Sequence, residues 1–287
     1  MAQSVLGIMG GSGFYNLPGL SNARWERVES PWGAPSDEVM FADIDGLPVC
    51  FLPRHGRGHK TPPSAINYRA NIDVMKRAGV TDLVSISACG SLKEEYPPGH
   101  FVLPDQFIDR TFAREKSFFG PGCVAHVSVA DPVSPLLVDA IAEAAAAEGI
   151  GHTRGGTYLV MEGPQFSTRA ESNLYRSWGC AVIGMTNMPE AKLAREAELP
   201  YASIGMVTDY DCWHEEVEAV SVTNVLDVLQ TNAARARETV AQLAGLLAAQ
   251  PRPPSPIDTA LDFAILTPRT AWDPSRAASI AALQRFA

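Results

Sequence analysis

Short runs of apolar, strand-forming residues recur along the chain, and helical segments separate some of them. The runs are Val5–Met9, Pro48–Leu52, Asp82–Ser87, Phe101–Ile108, Thr157–Met161, Ala181–Met185 and Tyr201–Val207. Apolar runs of this length are consistent with strands that are buried on both faces of a sheet. Strands that alternate with helices predict an α/β fold, and strands without an intervening helix in the interval 101–161 predict a mixed sheet.

Helix-capping residues predict four helices. The clearest is Ser134–Ala147, with Ser134 as N-cap, a proline at the first helical position and Gly149 just past the end. The others are expected at about residues 64–78, 189–197 and 222–249. The proline-rich stretch 251–256 ends the last helix. We therefore predict a single domain over residues 1–250 and a tail over 251–287, which ends in a short helix and packs on the domain or on a neighbouring subunit.

Composition and charge narrow the function. The chain has 287 residues, 46% of them hydrophobic, and a formal net charge of -9 without long like-charge blocks. This argues against nucleic acid or an anionic membrane as the main partner, although a pocket for a small anion stays open. We see no signal-peptide pattern and no apolar run long enough to cross a bilayer, so we expect a soluble, cytoplasmic protein.

The five cysteines are scattered and form no C-x-x-C pair. They predict reduced, packed thiols; a disulfide framework, a zinc site and a cysteine nucleophile are each disfavoured. We predict no metal site. His55 and His59 are spaced closely enough to share a metal ion, but the local sequence supplies no further ligands.

Two strands end in residues suited to an anion. The loop Gly10–Phe14 offers backbone amides and the Ser12 hydroxyl, and it suits a small phosphate. The G-x-G-x-x-G spacing of dinucleotide sites is not met, and a bare tight turn also fits. In the stretch Pro53–His59, Arg54 offers a planar fork for phosphate oxygens and His55 a second donor.

Further strand ends carry small or polar residues, in the stretches 85–91, 161–169 and 184–190, and each of them alone also fits a structural turn. The stretch TDYDCW places Asp209 and Asp211 just past a buried strand. In extended backbone, residues two apart face the same way, so the two carboxylates are predicted to point together at one object. A turn-capping aspartate beside a solvated one is the alternative that the spacing leaves open.

The motifs GGSGFY, PRHGRGH, SACGSL, MEGPQFSTRAES, MTNMPEAKLAREA and TDYDCW occur in this order. Over about residues 4–249 the chain resembles the trimeric purine nucleoside phosphorylase family. The resemblance implies a mixed central sheet flanked by helices, with a smaller sheet or barrel beside it, and a homotrimer. It implies reversible phosphorolysis, in which inorganic phosphate attacks C1′ of a nucleoside and releases the purine, without a metal or an organic cofactor.

The resemblance also implies a role for each candidate site residue. The phosphate ligands would be Ser12, Arg54, His55, Ser87, Ala88 and Thr186. Around the nucleoside, Met185 would lie under the ribose, Phe166 and Ser167 would border the purine, and Val222 and Val225 would contact the 5′ substituent. His126 and Leu266 would reach the site of a neighbouring subunit. Gly184 stands where some relatives have asparagine, which is a departure from the pattern.

The chemistry of the base explains the paired aspartates. As the glycosidic bond breaks, N7 of the purine becomes basic, and Asp209, kept protonated by burial and by Asp211, would donate a proton to it. A 6-amino group needs acceptors, which carboxylates provide, whereas a 6-oxo group would suit an amide. Apolar Val222 and Val225 would accept a 5′-methylthio group, although valines at this spacing are usually core residues. The expected reaction therefore yields adenine and 5-methylthioribose 1-phosphate from 5′-deoxy-5′-methylthioadenosine.

Rival functions are separated by these same residues. A 6-oxopurine phosphorylase is disfavoured by the aspartates, and a hydrolytic nucleosidase by the phosphate set. A non-catalytic nucleoside-binding protein and a dinucleotide-dependent oxidoreductase are alternatives from other classes.

Overall fold

The computed structural model describes residues 3–11, 17–214 and 222–274; the side chains of residues 222–226 lie outside that description. The strands in these ranges are β1 (Leu6–Gly10), β2 (Leu20–Glu26), β3 (Val39–Ile44), β4 (Leu47–Pro53), β5 (Asp82–Ser91), β6 (Phe101–Leu103), β7 (Gln106–Arg110), β8 (His152–Arg154), β9 (Thr157–Met161), β10 (Val182–Gly184) and β11 (Tyr201–Asp209). The helices are α1 (Tyr68–Arg77), α2 (Pro135–Ala147), α3 (Arg169–Ser177), α4 (Asn187–Glu196) and α5 (Val222–Ala248).

The strands form one mixed sheet with helices packed against it. Its main path runs β2-β3-β4-β1-β5-β10-β9-β7, and β11 pairs with β5 and β6, while β8 pairs with β6. Strands β1, β4, β5 and β11 are parallel, whereas β10 runs antiparallel to β5. The predicted α/β fold with a mixed sheet is confirmed. In the described residues the smaller sheet takes the form of a branch, in which β6 and β8 continue from β11.

Strand β5 lies at the centre and has an opening along one edge. Strand β11 pairs with it from Leu83 to Gly90 and so occupies one edge. On the other edge β1 reaches only to Ser85, and β10 begins its pairing at Gly90. Among the described strands, none therefore pairs with residues 86–89 on that edge, and Ala88 is exposed there. The sequence predicted a turn after Ser87, which is wrong; the strand continues through a gap in the ladder.

Two predicted elements differ from the structure. The single strand predicted over residues 101–108 is two strands, because the chain breaks at Pro104, whose missing N–H cannot join a ladder. Strand β6 then pairs with β11 and β8, and β7 pairs with β9. The helix predicted at 64–78 begins only at Tyr68, with Asn67 as the capping residue that accepts a hydrogen bond from the Ala70 amide.

Four elements were not predicted: β2, β3, β8 and α3. Strand β2 is largely exposed and carries polar residues, so it lacks the apolar pattern of a buried strand. Helix α3 is short and polar, yet a capping box of Thr168 and Glu171 marks its start and was a readable signal. Helix α2 is confirmed, with Ser134 as N-cap and Gly149 in the left-handed region just after it.

The described part of the tail packs against its own chain. Arg252 forms ion pairs with Asp82 and Asp258, each at 2.8 Å. Further along, Ile265 bridges to Ala125. The terminal helix predicted beyond residue 274 lies outside the described residues. None of the described helices is long and apolar enough to cross a membrane.

All five cysteines are free thiols, as predicted. Four of them are buried and Cys212 is partly exposed.

Candidate active site

Arg54 joins the ends of two parallel strands beside the gap in β5. It follows β4, and its backbone N–H donates to the Gly10 carbonyl at the end of β1. The side chain is buried, and its fork faces Glu190, with Nε donating to Oε2 at 2.7 Å. Nη2 donates to Ser85 Oγ at 2.6 Å and Nη1 to the Ile86 carbonyl at 3.3 Å. Nη1 has two N–H groups, and only one of them has a partner among the described residues, in a side chain that is 2% exposed.

His55 is held as a neutral ring. Its Nδ1 lies 2.8 Å from the Thr61 carbonyl, which can only accept, so Nδ1 carries the proton. Burial lowers the pKa of His55 to about 4, and the charge of Arg54 adds to this effect. In this state Nε2 is an acceptor, suited to the P–OH of hydrogen phosphate. The second donor that the sequence predicts at this position stays a prediction.

Ser87 and Thr186 lie where β5 and the loop after β10 meet. The Ser87 hydroxyl is 3.2 Å from Asn187 Oδ1 and 3.3 Å from the Tyr158 hydroxyl. Thr186 is buried at the start of α4, and its side chain makes no capping hydrogen bond. These contacts bring Arg54, Ser87 and Thr186 together beside the gap in β5, next to exposed Ala88. Ser12 follows β1 closely in sequence but lies outside the described residues.

Asp209 and Asp211 contact each other across a turn, not along an extended strand. Asp209 is the last residue of β11, whereas Asp211 has a positive φ of 48° and begins a short 3-10 helix. The predicted extended geometry is therefore wrong. Instead, the backbone N–H of Asp211 donates to Asp209 Oδ1 at 2.8 Å. Asp209 Oδ2 accepts from the Thr208 hydroxyl at 2.7 Å, and Asp211 Oδ2 accepts from the Ser172 hydroxyl at 2.6 Å.

The pKa of the Asp211 carboxyl group is raised from its ordinary value. Burial raises the pKa of Asp211, the charge of Asp209 acts in the same direction, and the Ser172 hydrogen bond acts against both. Gly90 permits this approach, because a Cβ there would lie 3.2 Å from Asp209 Oδ1 and 3.3 Å from Asp211 Cβ. The side chains of Asp209 and Asp211 thus lie together against Gly90.

The anion end and the carboxyl end lie along the same strand. Ser87 stands opposite Gly205 in the ladder and Gly90 opposite Asp209. Three residues of strand span about 10 Å. A ribose ring joined to a purine ring fills such a distance, so an anion at Ser87 and a proton donor at Asp209 can act on opposite ends of one nucleoside.

A family model described as the phosphorylase superfamily matches residues 5–244. The chain belongs to this superfamily. The S-methyl-5′-thioadenosine phosphorylase of Bradyrhizobium diazoefficiens is 61% identical, over 96% of this chain and 94% of its own length. The protein of the same name from Rhodospirillum rubrum is 58% identical, over 98% and 96%.

Solved structures agree in fold. A methylthioadenosine phosphorylase from an Antarctic soil metagenomic library superimposes with a TM-score of 0.94 at 45% identity, over 99% of this chain and 100% of that one. A mutant of the adenosine/methylthioadenosine phosphorylase of Schistosoma mansoni, in complex with methylthioadenosine, gives a TM-score of 0.81 at 34% identity, over 86% and 93%.

The residues predicted to border the nucleoside in this phosphorylase-superfamily chain come from two loops. Ser167 contacts the aspartate turn, because its carbonyl accepts from Cys212 Sγ at 3.3 Å. Phe166 beside it is 83% exposed. Met185 packs over Gly163, where a Cβ would lie 2.5 Å from its sulfur. The structure thus brings Ser167 next to Asp211 and leaves the Phe166 ring open to a ligand.

The departure at Gly184 has a steric cause. A Cβ at residue 184 would lie 1.9 Å from the Tyr158 hydroxyl. Tyr158 is fully buried, and its hydroxyl also approaches Ser87. Tyr158 therefore fills the space that a side chain at residue 184 would need.

The remaining predicted site residues are Val222, Val225, His126 and Leu266. Val222 and Val225 belong to the first turn of α5, but their side chains are outside the described residues. His126 and Leu266 lie close together: the His126 N–H donates to the Ala264 carbonyl, and the Leu266 N–H donates to the Val124 carbonyl, each at 2.9 Å. Both are exposed.

Sequence reasoning missed the buried residue Arg114, which holds the segment around Met185 in place. Its Nη1 donates to the carbonyls of Met185 at 2.5 Å and Met188 at 2.6 Å, and its Nη2 donates to the Glu162 carbonyl at 2.6 Å. No motif around Arg114 announces this role, since its partners lie 48 to 74 residues away in sequence.

Proposed function

We propose that this protein catalyses the reversible phosphorolysis of 5′-deoxy-5′-methylthioadenosine, giving adenine and 5-methylthioribose 1-phosphate in methionine and purine salvage. The observation that carries the proposal is the Asp209–Asp211 pair at the end of β11, about 10 Å from Ser87 along the ladder of β5 and β11. The names of the most similar relatives and of the superimposed structures support the same reaction.

The phosphate end of the site binds inorganic phosphate, which is the nucleophile. Ser12, Arg54, His55, Ser87, Ala88 and Thr186 are the proposed ligands. A phosphate oxygen attacks C1′ as the bond from C1′ to N9 breaks, and the bonding electrons pass into the purine. The bound anion faces the cation-like sugar throughout, and holding both reactants in one site removes the entropic cost of their encounter.

The carboxyl end completes the reaction at the base. Asp209 and Asp211 are the proposed catalytic residues: Asp209 delivers a proton to N7, and the pair accepts from the 6-amino group. Phe166 and Ser167 border the purine, Met185 lies under the ribose, and Val222 and Val225 receive the methylthio group. A 6-oxo purine would place an acceptor against these carboxyl oxygens, which favours adenine as the leaving base.

The proposal also covers the oligomeric state, the cellular compartment and the cofactor requirement. A homotrimer is supported by exposed apolar side chains near His126, of which Phe263 is 98% and Leu266 62% exposed. His126 and Leu266 would then face the site of a neighbouring subunit. Free cysteines suit a reducing cytoplasm. The reaction as proposed uses inorganic phosphate as co-substrate and neither a metal nor an organic cofactor, so treatment with a chelator leaves the rate unchanged.

Phosphorus NMR tests the reaction directly. Methylthioadenosine is incubated with the protein and inorganic phosphate, and we expect a sugar 1-phosphate resonance to grow as adenine is released. Adenine released at the same rate without phosphate, with no new phosphate ester, would identify a hydrolase and refute the proposal. Sedimentation velocity on the same sample tests the trimer, which should have three times the 30.8 kDa mass of the chain.

A further inference from the structure

A chain of buried hydrogen bonds connects two of the proposed phosphate ligands from beneath. The Ser87 hydroxyl donates to Asn187 Oδ1 at 3.2 Å, and Asn187 Nδ2 donates to the Tyr201 hydroxyl at 3.0 Å. The Tyr201 hydroxyl donates to Glu190 Oε1 at 3.0 Å, and Glu190 also accepts from Arg54. Ser87 lies in β5 and Arg54 follows the end of β4, so this chain is a polar link between two separate segments.

The charge of Glu190 determines the direction of every bond. A carboxylate only accepts, so both Arg54 and Tyr201 must donate to it. The Tyr201 oxygen is then free to accept from the Asn187 amide nitrogen. The carbonyl oxygen of Asn187 is left to accept from Ser87. One buried carboxylate thus orients side chains at both ends of the network.

Burial makes each link costly to break. Asn187 and Glu190 are fully buried, and Tyr201 is 1% exposed. The second amide hydrogen of Asn187 is taken up by Ser203 Oγ at 2.5 Å. Removing one partner leaves a buried polar atom unpaired, and the remaining atoms shift to recover a partner. Such a shift is transmitted to Ser87 and Arg54, which are the ends of the network that face the gap in β5.

We infer that Asn187, Tyr201 and Glu190 are positioning residues that hold Ser87 and Arg54 in the geometry that binds phosphate, an inference that rests on the proposed function. The network touches the proposed phosphate ligands and not the aspartate pair. Its hydrogen bonds among the described residues include none to Asp209 or Asp211, so a change in it should alter phosphate binding and leave nucleoside binding almost untouched.

The variant Tyr201→Phe tests this inference, because it keeps the ring volume and removes only the hydroxyl. We expect the KM for phosphate to rise about threefold to tenfold, as for the loss of one buried hydrogen bond. The KM for the nucleoside should stay within about twofold of the wild-type value. Ser203→Ala, which removes one of the two acceptors of the Asn187 amide, should give a smaller rise. Tyr175→Phe, a buried tyrosine outside the network, is the matched control and should leave the phosphate KM unchanged.

Binding of inorganic phosphate, measured by isothermal titration calorimetry, separates this inference from the proposed function. A wild-type protein that binds phosphate without releasing adenine would refute the proposed reaction, while the comparison of Kd between wild type and Tyr201→Phe would still test the network. An unchanged phosphate Kd in Tyr201→Phe, or an equal rise of both KM values, would overturn the inference. A wild-type protein that binds no phosphate would overturn both.

Discussion

Asp209 is the residue on which the proposed chemistry depends most. Both of its oxygens accept hydrogen bonds, from Thr208 and from the Asp211 backbone, so the carboxyl group is fixed in place. In Asp209→Asn an amide of similar shape takes its place, and it can donate a hydrogen bond to N7 but cannot transfer a proton to it. We expect kcat for methylthioadenosine to fall about 100-fold or more, because the acid acts only as charge develops in the base.

The comparison variant for Asp209→Asn is Ser87→Ala, measured in the same steady-state assay. Its defect should appear mainly in the phosphate KM, with a smaller effect on kcat. Comparable losses of kcat in both variants would remove the role assigned to Asp209.

Gly184 gives a test of packing beside the site. A methyl group at this position would overlap the Tyr158 hydroxyl, and both residues lie in the buried sheet. We expect Gly184→Ala to lower the free energy of unfolding by about 2 kcal/mol or more. The double variant Gly184→Ala with Tyr158→Met should recover part of this loss, because the two residues share the same space.

Gly245 supplies the control for that experiment. It lies in α5, and a Cβ there would meet no atom within 4 Å. Gly245→Ala should therefore be neutral or stabilising, by up to about 1 kcal/mol. Urea denaturation of the four proteins measures these differences, and equal stabilities of Gly184→Ala and Gly245→Ala would contradict the steric account.

Residues next to a strand end were predictable, and residues that support them were not. Asp209 and Arg54 could be read from the sequence because each follows an apolar run. Glu190 and Arg114 could not, because the partners that make them important come from distant segments and only the fold brings them together. The extended geometry of the aspartate pair failed for a local reason, since the chain turns at Tyr210 and Asp211 takes a left-handed conformation.

At the scale of elements, Asp109 joins β7 to α4 and to a neighbouring loop. It accepts from Lys192 Nζ at 2.6 Å and from Lys116 Nζ at 3.1 Å. Burial acts to raise the pKa of Asp109, but the hydrogen bonds from Lys192, Thr111 and Lys116 outweigh it and lower the pKa to about 2. A carboxyl group with a lowered folded-state pKa stabilises the fold above its unfolded pKa, and this contribution is lost as pH falls toward the folded value.

We expect the free energy of unfolding of the wild type to exceed that of Asp109→Asn by at most about 2 kcal/mol at pH 7. This difference should narrow as pH falls from 5 to 3. Urea denaturation at several pH values measures it. A gap that stays constant across this range would mean that the ionised carboxylate is not the source of the stability.

Arg252 fixes the start of the tail through two carboxylates. Its ion pairs with Asp82 and Asp258 are mostly buried, and they connect the proline-rich stretch to β5 and to a later part of the tail. We expect Arg252→Gln to speed proteolytic cleavage within residues 251–267 several-fold while the body stays intact. Arg27→Gln, which removes an exposed pair with Glu29, is the control. Equal cleavage rates in the two variants would contradict the role of Arg252.

At the scale of the whole molecule, apolar runs and helix caps were enough to predict the fold class and most of the central strands. The edge of the sheet was not predictable, because β2 is exposed and polar and therefore lacks the pattern of a buried strand. The gap beside Ser87 was also beyond sequence reasoning. It arises because β1 pairs with β5 only as far as Ser85, while β10 pairs with β5 from Gly90 onward. Only the three-dimensional register shows both limits.

The most direct test of phosphorolysis with adenine as the leaving base is the rate of base release from methylthioadenosine and from methylthioinosine, each with saturating inorganic phosphate and without it. We expect adenine release that requires phosphate and a much lower rate of hypoxanthine release. Adenine release that is independent of phosphate, or a preference for methylthioinosine, would contradict this expectation, because then the site around Arg54 and Ser87 would not supply the nucleophile, or Asp209 and Asp211 would not recognise the 6-amino group.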